Sequence, residues 1–120
     1  MHELAVTQGI LQTALDAAER CGARRITTIQ LVVGELSSIV DDSVQFYFAP
    51  LSRGTLAENA TLQFRRAPLN VHCLDCQEIF SARAPLPFEC PHCGGVSLRV
   101  EGGRDFYIES IEVTDEAAGD

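Results

Sequence analysis

Apolar positions recur three and four residues apart from Glu3 to about Arg20, and that period predicts a helix. Leu4, Leu11, Leu15 and Ala18 fall on one stripe, flanked by Ile10, Ala14 and Cys21, while Gln12, Asp16, Glu19 and Arg20 take the opposite side. Cys21 at the end of that stripe is expected to be a small buried hydrophobe. Gly22 supplies a left-handed stop. The period then changes. Ile26-Thr27-Thr28-Ile29-Gln30-Leu31-Val32-Val33 is β-branched and apolar, which predicts a central strand. Gly34 to Ser38 reads as a turn. Asp41 or Asp42 is expected to cap a second helix in which Val44, Phe48 and Leu51 share a face, with Pro50 kinking or shortening it and Gly54 ending it. Ala60 to Ala67 predicts a second strand, with Leu62 and Phe64 on one side. Phe106, Ile108, Ile111 and Val113 predict a last strand.

These elements imply an α+β fold: a small three-stranded sheet covered by two helices, with a zinc-ribbon-like module inserted before the last strand. The expected division is residues 1–69 plus 104–114 for the main domain and 70–103 for the module. A disordered acidic tail is expected at 115–120. The module is rich in turns and poor in large apolar residues, too small to fold on buried surface alone.

Charge narrows the partners. Nine basic against seventeen acidic residues in a chain of 120 give a net charge of −8. Phosphate backbones and anionic membranes repel such a chain, so neither nucleic acid nor a membrane is an expected partner. The first eighteen residues lack a basic leader and carry Glu3 and Asp16, a poor secretory signal. A cytoplasmic, reducing location is expected, where paired cysteines serve as metal ligands rather than disulfides.

The module carries the strongest chemical pattern. Cys73-Leu74-Asp75-Cys76 is followed after thirteen residues by Cys90-Pro91-His92-Cys93-Gly94-Gly95. Two residues between cysteines let one tight turn aim both thiolates at one cation, and two facing turns close a tetrahedron that suits structural Zn(II). His72 and His92 lie beside these cysteines. Four thiolates already fill the tetrahedron, so the histidines are expected to be exposed or to hydrogen-bond behind the ligands. Their adjacency also makes them candidate pH-responsive groups.

A second candidate lies at the amino terminus. His2 is bulky, so Met1 should be retained. The Met1 amine, the His2 backbone nitrogen and the His2 imidazole can then chelate one ion in linked rings, with Glu3 adding a backbone nitrogen or a carboxylate. A planar nitrogen set suits Ni(II) or Cu(II). The first amides of a helix lack intrahelical acceptors and can supply it. A histidine so placed is also commonly just an exposed side chain.

With these residues in view, the chain resembles the HypA/HybF family of hydrogenase-maturation nickel chaperones. The likeness runs through Met1-His2-Glu3-Leu4, Val33-Gly34-Glu35-Leu36-Ser37, the helix around Phe46 and Phe48, Arg53-Gly54-Thr55-Leu56-Ala57-Glu58-Asn59-Ala60, the cysteine pairs and the strand from Ile108 to Glu112. It implies a non-enzymatic carrier with transported Ni(II) at His2 and Glu3 and structural Zn(II) at Cys73, Cys76, Cys90 and Cys93. It implies two partners, a nickel-binding GTPase of the same pathway and the large subunit of a [NiFe] hydrogenase, with urease served by some members. A homodimer is compatible with the chain. Pro50 departs from the family pattern. Val40 precedes Asp41 and Asp42, and no ligand is carried over from that loop.

Three other readings fit parts of the pattern. A zinc-ribbon module could bind nucleic acid or protein, although it lacks a basic stripe. A rubredoxin-like electron carrier uses the same cysteine turns. A thiol oxidoreductase needs one reactive pair at a helix start, which is missing here.

Overall fold

The computed structural model describes residues 2–83 and 85–115, apart from the side chain of His2. Two helices and six strands follow one another as α1 (His2–Arg20), β1 (Arg25–Gly34), α2 (Asp41–Ser52), β2 (Thr61–Ala67), β3 (Leu69–Cys73), β4 (Ile79–Ala82), β5 (Leu98–Glu101) and β6 (Phe106–Thr114). Two three-stranded sheets result, ordered β2-β1-β6 and β4-β3-β5. The α+β architecture and the return of the last strand beside the central one are as the sequence implies. From residue 116 onward the expected tail lies outside the described residues.

The chain divides into two compact units. The first holds Met1–Val32, Ile39–Arg65 and the chain from Tyr107, and the second holds Val33–Ser38 and Arg66–Phe106.

In the first unit, α1 packs along α2. The buried face of α1 is Thr7, Ile10, Leu11, Ala14 and Ala18, with Leu4 exposed and Leu15 half-buried. The stripe is therefore rotated from the expected one. Thr7 can sit on it because its hydroxyl donates to the Glu3 carbonyl one turn back, so no polar group is left bare. Ala23 N–H donates to Ala18 O and Gly22 N–H to Glu19 O, with Gly22 at φ +70°. Those two bonds define a glycine-terminated helix end. Cys21 sits at this end and is exposed, not buried, because the chain leaves the helix there. Its thiol donates to Ala18 O.

The second helix begins differently from expectation. Val40 holds the capping position in an extended conformation with no side-chain cap, while Asp41 and Asp42 lie inside the first turn. Their charges still favour the helix dipole. Pro50 falls in the last turn, and the helix ends at Ser52, two residues on. Val44 and Phe48 are buried, and with Ile26, Ile29, Leu31 and Val32 of β1 they complete this core.

Between α2 and β2 the chain turns tightly. Gly54 and Asn59 adopt φ +78° and +66°. The Thr55 hydroxyl donates to Ser52 O and accepts from Ala57 N–H, and Leu56 O accepts from Ile26 N–H. These bonds give the Arg53–Ala60 motif a structural role: it delivers the chain to the edge of β1.

In the second unit, β3 is central and both pairings are antiparallel, with Val71 opposite Phe80 and Val100. None of these three strands was expected, because four- and five-residue strands show too few alternations to be read. The segment from Gly34 is tied across the base of this sheet. Gly34 N–H donates to Asp105 O, Glu35 N–H to Ala67 O and Leu36 N–H to Gly103 O. Arg83 reaches the Glu35 carboxylate at 3.3 Å. A Cβ at Gly34 would collide with the Gly103 carbonyl and the Arg104 nitrogen, and backbone there cannot swing aside. Gly34→Ala should therefore cost about 3 kcal/mol, the upper end of overpacking costs. Urea unfolding of the zinc-loaded protein measures it.

Candidate metal centre

Each cysteine pair sits on a turn built by the same bonds. Cys73 N–H donates to Glu78 O, and Gln77 N–H donates back to Cys73 O, both at 2.9 Å. Cys90 N–H donates to Gly95 O at 2.8 Å, and Gly94 N–H donates back to Cys90 O at 2.9 Å. Gln77 and Gly94 hold equivalent positions at φ +69° and +75°. The first turn closes the β3–β4 hairpin. Leu74 N–H, donating to Ser97 O at 2.8 Å, ties it to the chain just beyond the second turn.

The turns bring all four sulfurs together. Cys73 Sγ lies 3.6 Å from Cys93 Sγ, and Cys76 Sγ lies 3.7 Å from Cys90 Sγ. All four are within 4.8 Å of one another. A tetrahedron with Zn–S bonds of about 2.3 Å has sulfur–sulfur edges of about 3.8 Å, which the Cys73–Cys93 and Cys76–Cys90 edges already match, so the cluster is of a size that suits zinc. The backbone supplies donors to the thiolates: Cys76 N–H to Cys73 Sγ, His92 N–H to Cys90 Sγ and Gly95 N–H to Cys93 Sγ. Such donors offset the negative charge that four thiolates concentrate.

These contacts spread the thiol acidities. Burial pushes Cys90 up, but the Cys93 and His92 N–H groups and the neighbouring thiols outweigh it and bring it down to about 7. At Cys76 the Glu78 N–H pulls downward, yet burial and the three other sulfurs push it up to about 12. The Gly95 N–H pulls Cys93 down, but the Cys73 sulfur and burial leave it above the ordinary thiol range. Zinc must displace protons from at least Cys76 and Cys93 at neutral pH, so its apparent affinity rises with pH.

The histidines stand apart from the sulfurs in different ways. His72 Nε2 lies 2.9 Å from Glu101 Oε2 across the β3–β5 pair. The His92 side chain is exposed, and it is its backbone N–H that meets a sulfur. Proline and glycine around the second pair are expected to make a turn whose amides approach the sulfurs, and Gly95 N–H does so, whereas the left-handed Gln77 of the first turn has no such signal. Aligning the two cysteine turns would have revealed it, since that places Gln77 over Gly94. No Cβ contact lies within 4 Å at Gly94. Gly94→Ala should therefore cost only its left-handed backbone, about 1 kcal/mol, and weaken zinc roughly fivefold in a chelator competition.

At the other candidate, Glu3 Oε2 accepts the Val40 N–H at 3.3 Å. The carboxyl is held below its usual range, first by its own backbone N–H, which outweighs the upward push of burial, and further by that of Val40. It stays ionised and bolts the first turn of α1 to the start of α2. The His2 imidazole and Met1 lie outside the described residues.

Fold and site together define a small α+β metal-binding protein built round a four-thiolate centre. A family model described as "Hydrogenase/urease nickel incorporation, metallochaperone, hypA" matches residues 1–113. The chain belongs to this HypA family. It is 41% identical over 114 residues to the hydrogenase maturation factor HypA of Caldanaerobacter subterraneus subsp. tengcongensis, covering 94% of this chain and 99% of that one. It is 42% identical over 117 residues to the same factor of Dehalococcoides mccartyi, covering 98% of each. The solution structure of the Ni metallochaperone HypA from Helicobacter pylori aligns with TM-score 0.64 at 19% identity over 95% of this chain and 98% of that chain. Another HypA solution structure aligns with TM-score 0.70 at 22% identity over 97% and 98%. These structures share the fold. No helix among the described residues is long and apolar enough to cross a membrane.

Proposed function

We propose that this chain carries Ni(II) on its first residues and passes it to an apo-hydrogenase, while Zn(II) on Cys73, Cys76, Cys90 and Cys93 only braces the fold. The observation that carries the reading is the family match from residue 1, which takes in Met1-His2-Glu3 together with the cysteine turns. The four-sulfur cluster is closed, as a structural zinc site requires. Nickel cargo then needs a separate, more open site that can give the ion up.

The ligands are the Met1 amine, the backbone nitrogens of His2 and Glu3, and the His2 imidazole. The leading amides of α1 have no backbone acceptor within the helix, and nickel would take the Glu3 nitrogen in place of the bond from its N–H to its own carboxylate. Glu3 keeps its carboxylate on Val40 and so steadies the helix start that presents these nitrogens. Protons compete for every one of them, so nickel affinity falls as pH falls. The carrier is not an enzyme. It works in the cytoplasm with a nickel-binding GTPase and the hydrogenase large subunit.

One added residue tests the chelate. A glycine placed before Met1 turns the amine into an amide and breaks the linked rings. Calorimetric titration should then show nickel binding lost, with one zinc per chain retained. Unchanged nickel affinity in the extended chain sinks the proposal.

A further inference from the structure

Four apolar residues flanking the cysteines are exposed, and holding a metal does not use their side chains. Leu74 follows Cys73, Ile79 lies three residues past Cys76, Phe88 two before Cys90, and Val96 three past Cys93. Phe88 is 92% exposed, Val96 74%, Ile79 57% and Leu74 54%. The four sulfurs lie within 4.8 Å of one another. Three residues of extended chain reach only about 10 Å, so each of these residues lies within about that reach of its cysteine and hence near the one sulfur cluster. The Leu74–Ser97 bond draws Leu74 towards Val96. A single exposed apolar side chain is ordinary. Four around one centre, with an almost fully exposed phenylalanine among them, mark a docking surface. Phe88 follows Pro85 and Pro87, whose fixed φ limits the entropy lost when the loop is captured.

The charge around the patch specifies the partner. Asp75, Glu78 and Glu89 are exposed between the apolar residues. Among the described residues none of the three enters an ion pair, whereas Arg83 is paired with Glu35 and Arg99 with Glu101. An acid-rimmed apolar patch repels nucleic acid and anionic lipid and attracts a polypeptide whose apolar side chains stand between lysines and arginines.

We propose that this patch around the cysteine turns is where the nickel-acceptor protein docks, through a segment of apolar side chains interleaved with basic ones. The inference rests on the nickel-delivery reading above. It uses none of the residues of the proposed nickel chelate, so docking and holding the ion are separable.

The test is binding of the zinc-loaded chain to a purified apo large subunit of a [NiFe] hydrogenase, followed by interferometry across a salt titration. Phe88→Ser with Val96→Ser should weaken binding at least tenfold while zinc content and nickel affinity stay at wild-type values. Both side chains are exposed, so the fold does not depend on them. Glu78→Lys with Glu89→Lys should weaken binding and flatten its salt dependence. His2→Ala should bind as the wild type does. Equal binding by the wild type and the serine variant overturns the docking site alone. So does a serine variant altered only in self-association, or in binding to RNA or anionic vesicles. A wild-type chain that never binds the subunit removes the delivery reading and this proposal with it.

Discussion

Cys73→Ser should empty the four-sulfur site and unfold the second unit while leaving the first unit folded. Cys73 closes β3, its sulfur touches that of Cys93, and both its backbone groups hold the first turn. Little else stabilises the sheet. Among the described residues of β3, β4 and β5 the fully buried side chains are few: Leu69, Val71 and the ligand Cys73, all on β3. Structural zinc contributes on the order of 10 kcal/mol or more to such small modules, far beyond what two aliphatic side chains provide at about 2 kcal/mol each. The measurements are zinc content by mass spectrometry and amide exchange. Zinc should fall below one tenth of an equivalent. Amides of β3, β4 and β5 should exchange freely, while those of Ile29 and Leu31 on the central strand β1 stay protected. Full zinc retention with β3 still protected would show that the unit stands without its metal.

His2→Ala should lower nickel affinity roughly a hundredfold or more, because a donor linked to two others by short rings acts at a high effective concentration. Zinc content should not change, since the four sulfurs belong to the second unit and the terminus to the first. Nor should the fold, because the buried face of α1 is Thr7, Ile10, Leu11, Ala14 and Ala18 and the first turn keeps its bond from Val40 N–H to Glu3. Titration calorimetry at several pH values makes the distinction sharp. Wild-type affinity should fall on acidification as the nitrogens protonate. The variant should show only weak, nonspecific uptake throughout. A variant that binds as tightly as the wild type places the nickel elsewhere.

How much of this was legible in the chain depended on the length of each pattern. The long periodic runs gave α1 and β1 their types and β1 its central place. The turn residues gave the helix stops at Gly22 and Gly54. The register of α1 was less accessible. Thr7 lies on the buried face and Leu4 does not, because a hydroxyl bonded to Glu3 O is as easily buried as an aliphatic group. Cys21 was read as part of the apolar stripe, but the helix ends beneath it. The start of α2 defeated the usual capping signal: Val40 caps without a side-chain bond, and the carboxylate that meets its N–H comes from Glu3 on another helix. Such a contact has no local signature. The cysteine spacing foretold the sulfur cluster, yet not the three short strands that support it or the left-handed residues that shape its turns. Those strands take their order from a metal-sized centre rather than from alternation along the chain.

The most direct test of the two-site account is a nickel K-edge absorption spectrum of the zinc-loaded protein with one equivalent of Ni(II). Nitrogen and oxygen donors alone, including imidazole scattering, with zinc still bound by four sulfurs, is the predicted result. Sulfur in the nickel shell, or release of zinc as nickel binds, would contradict it.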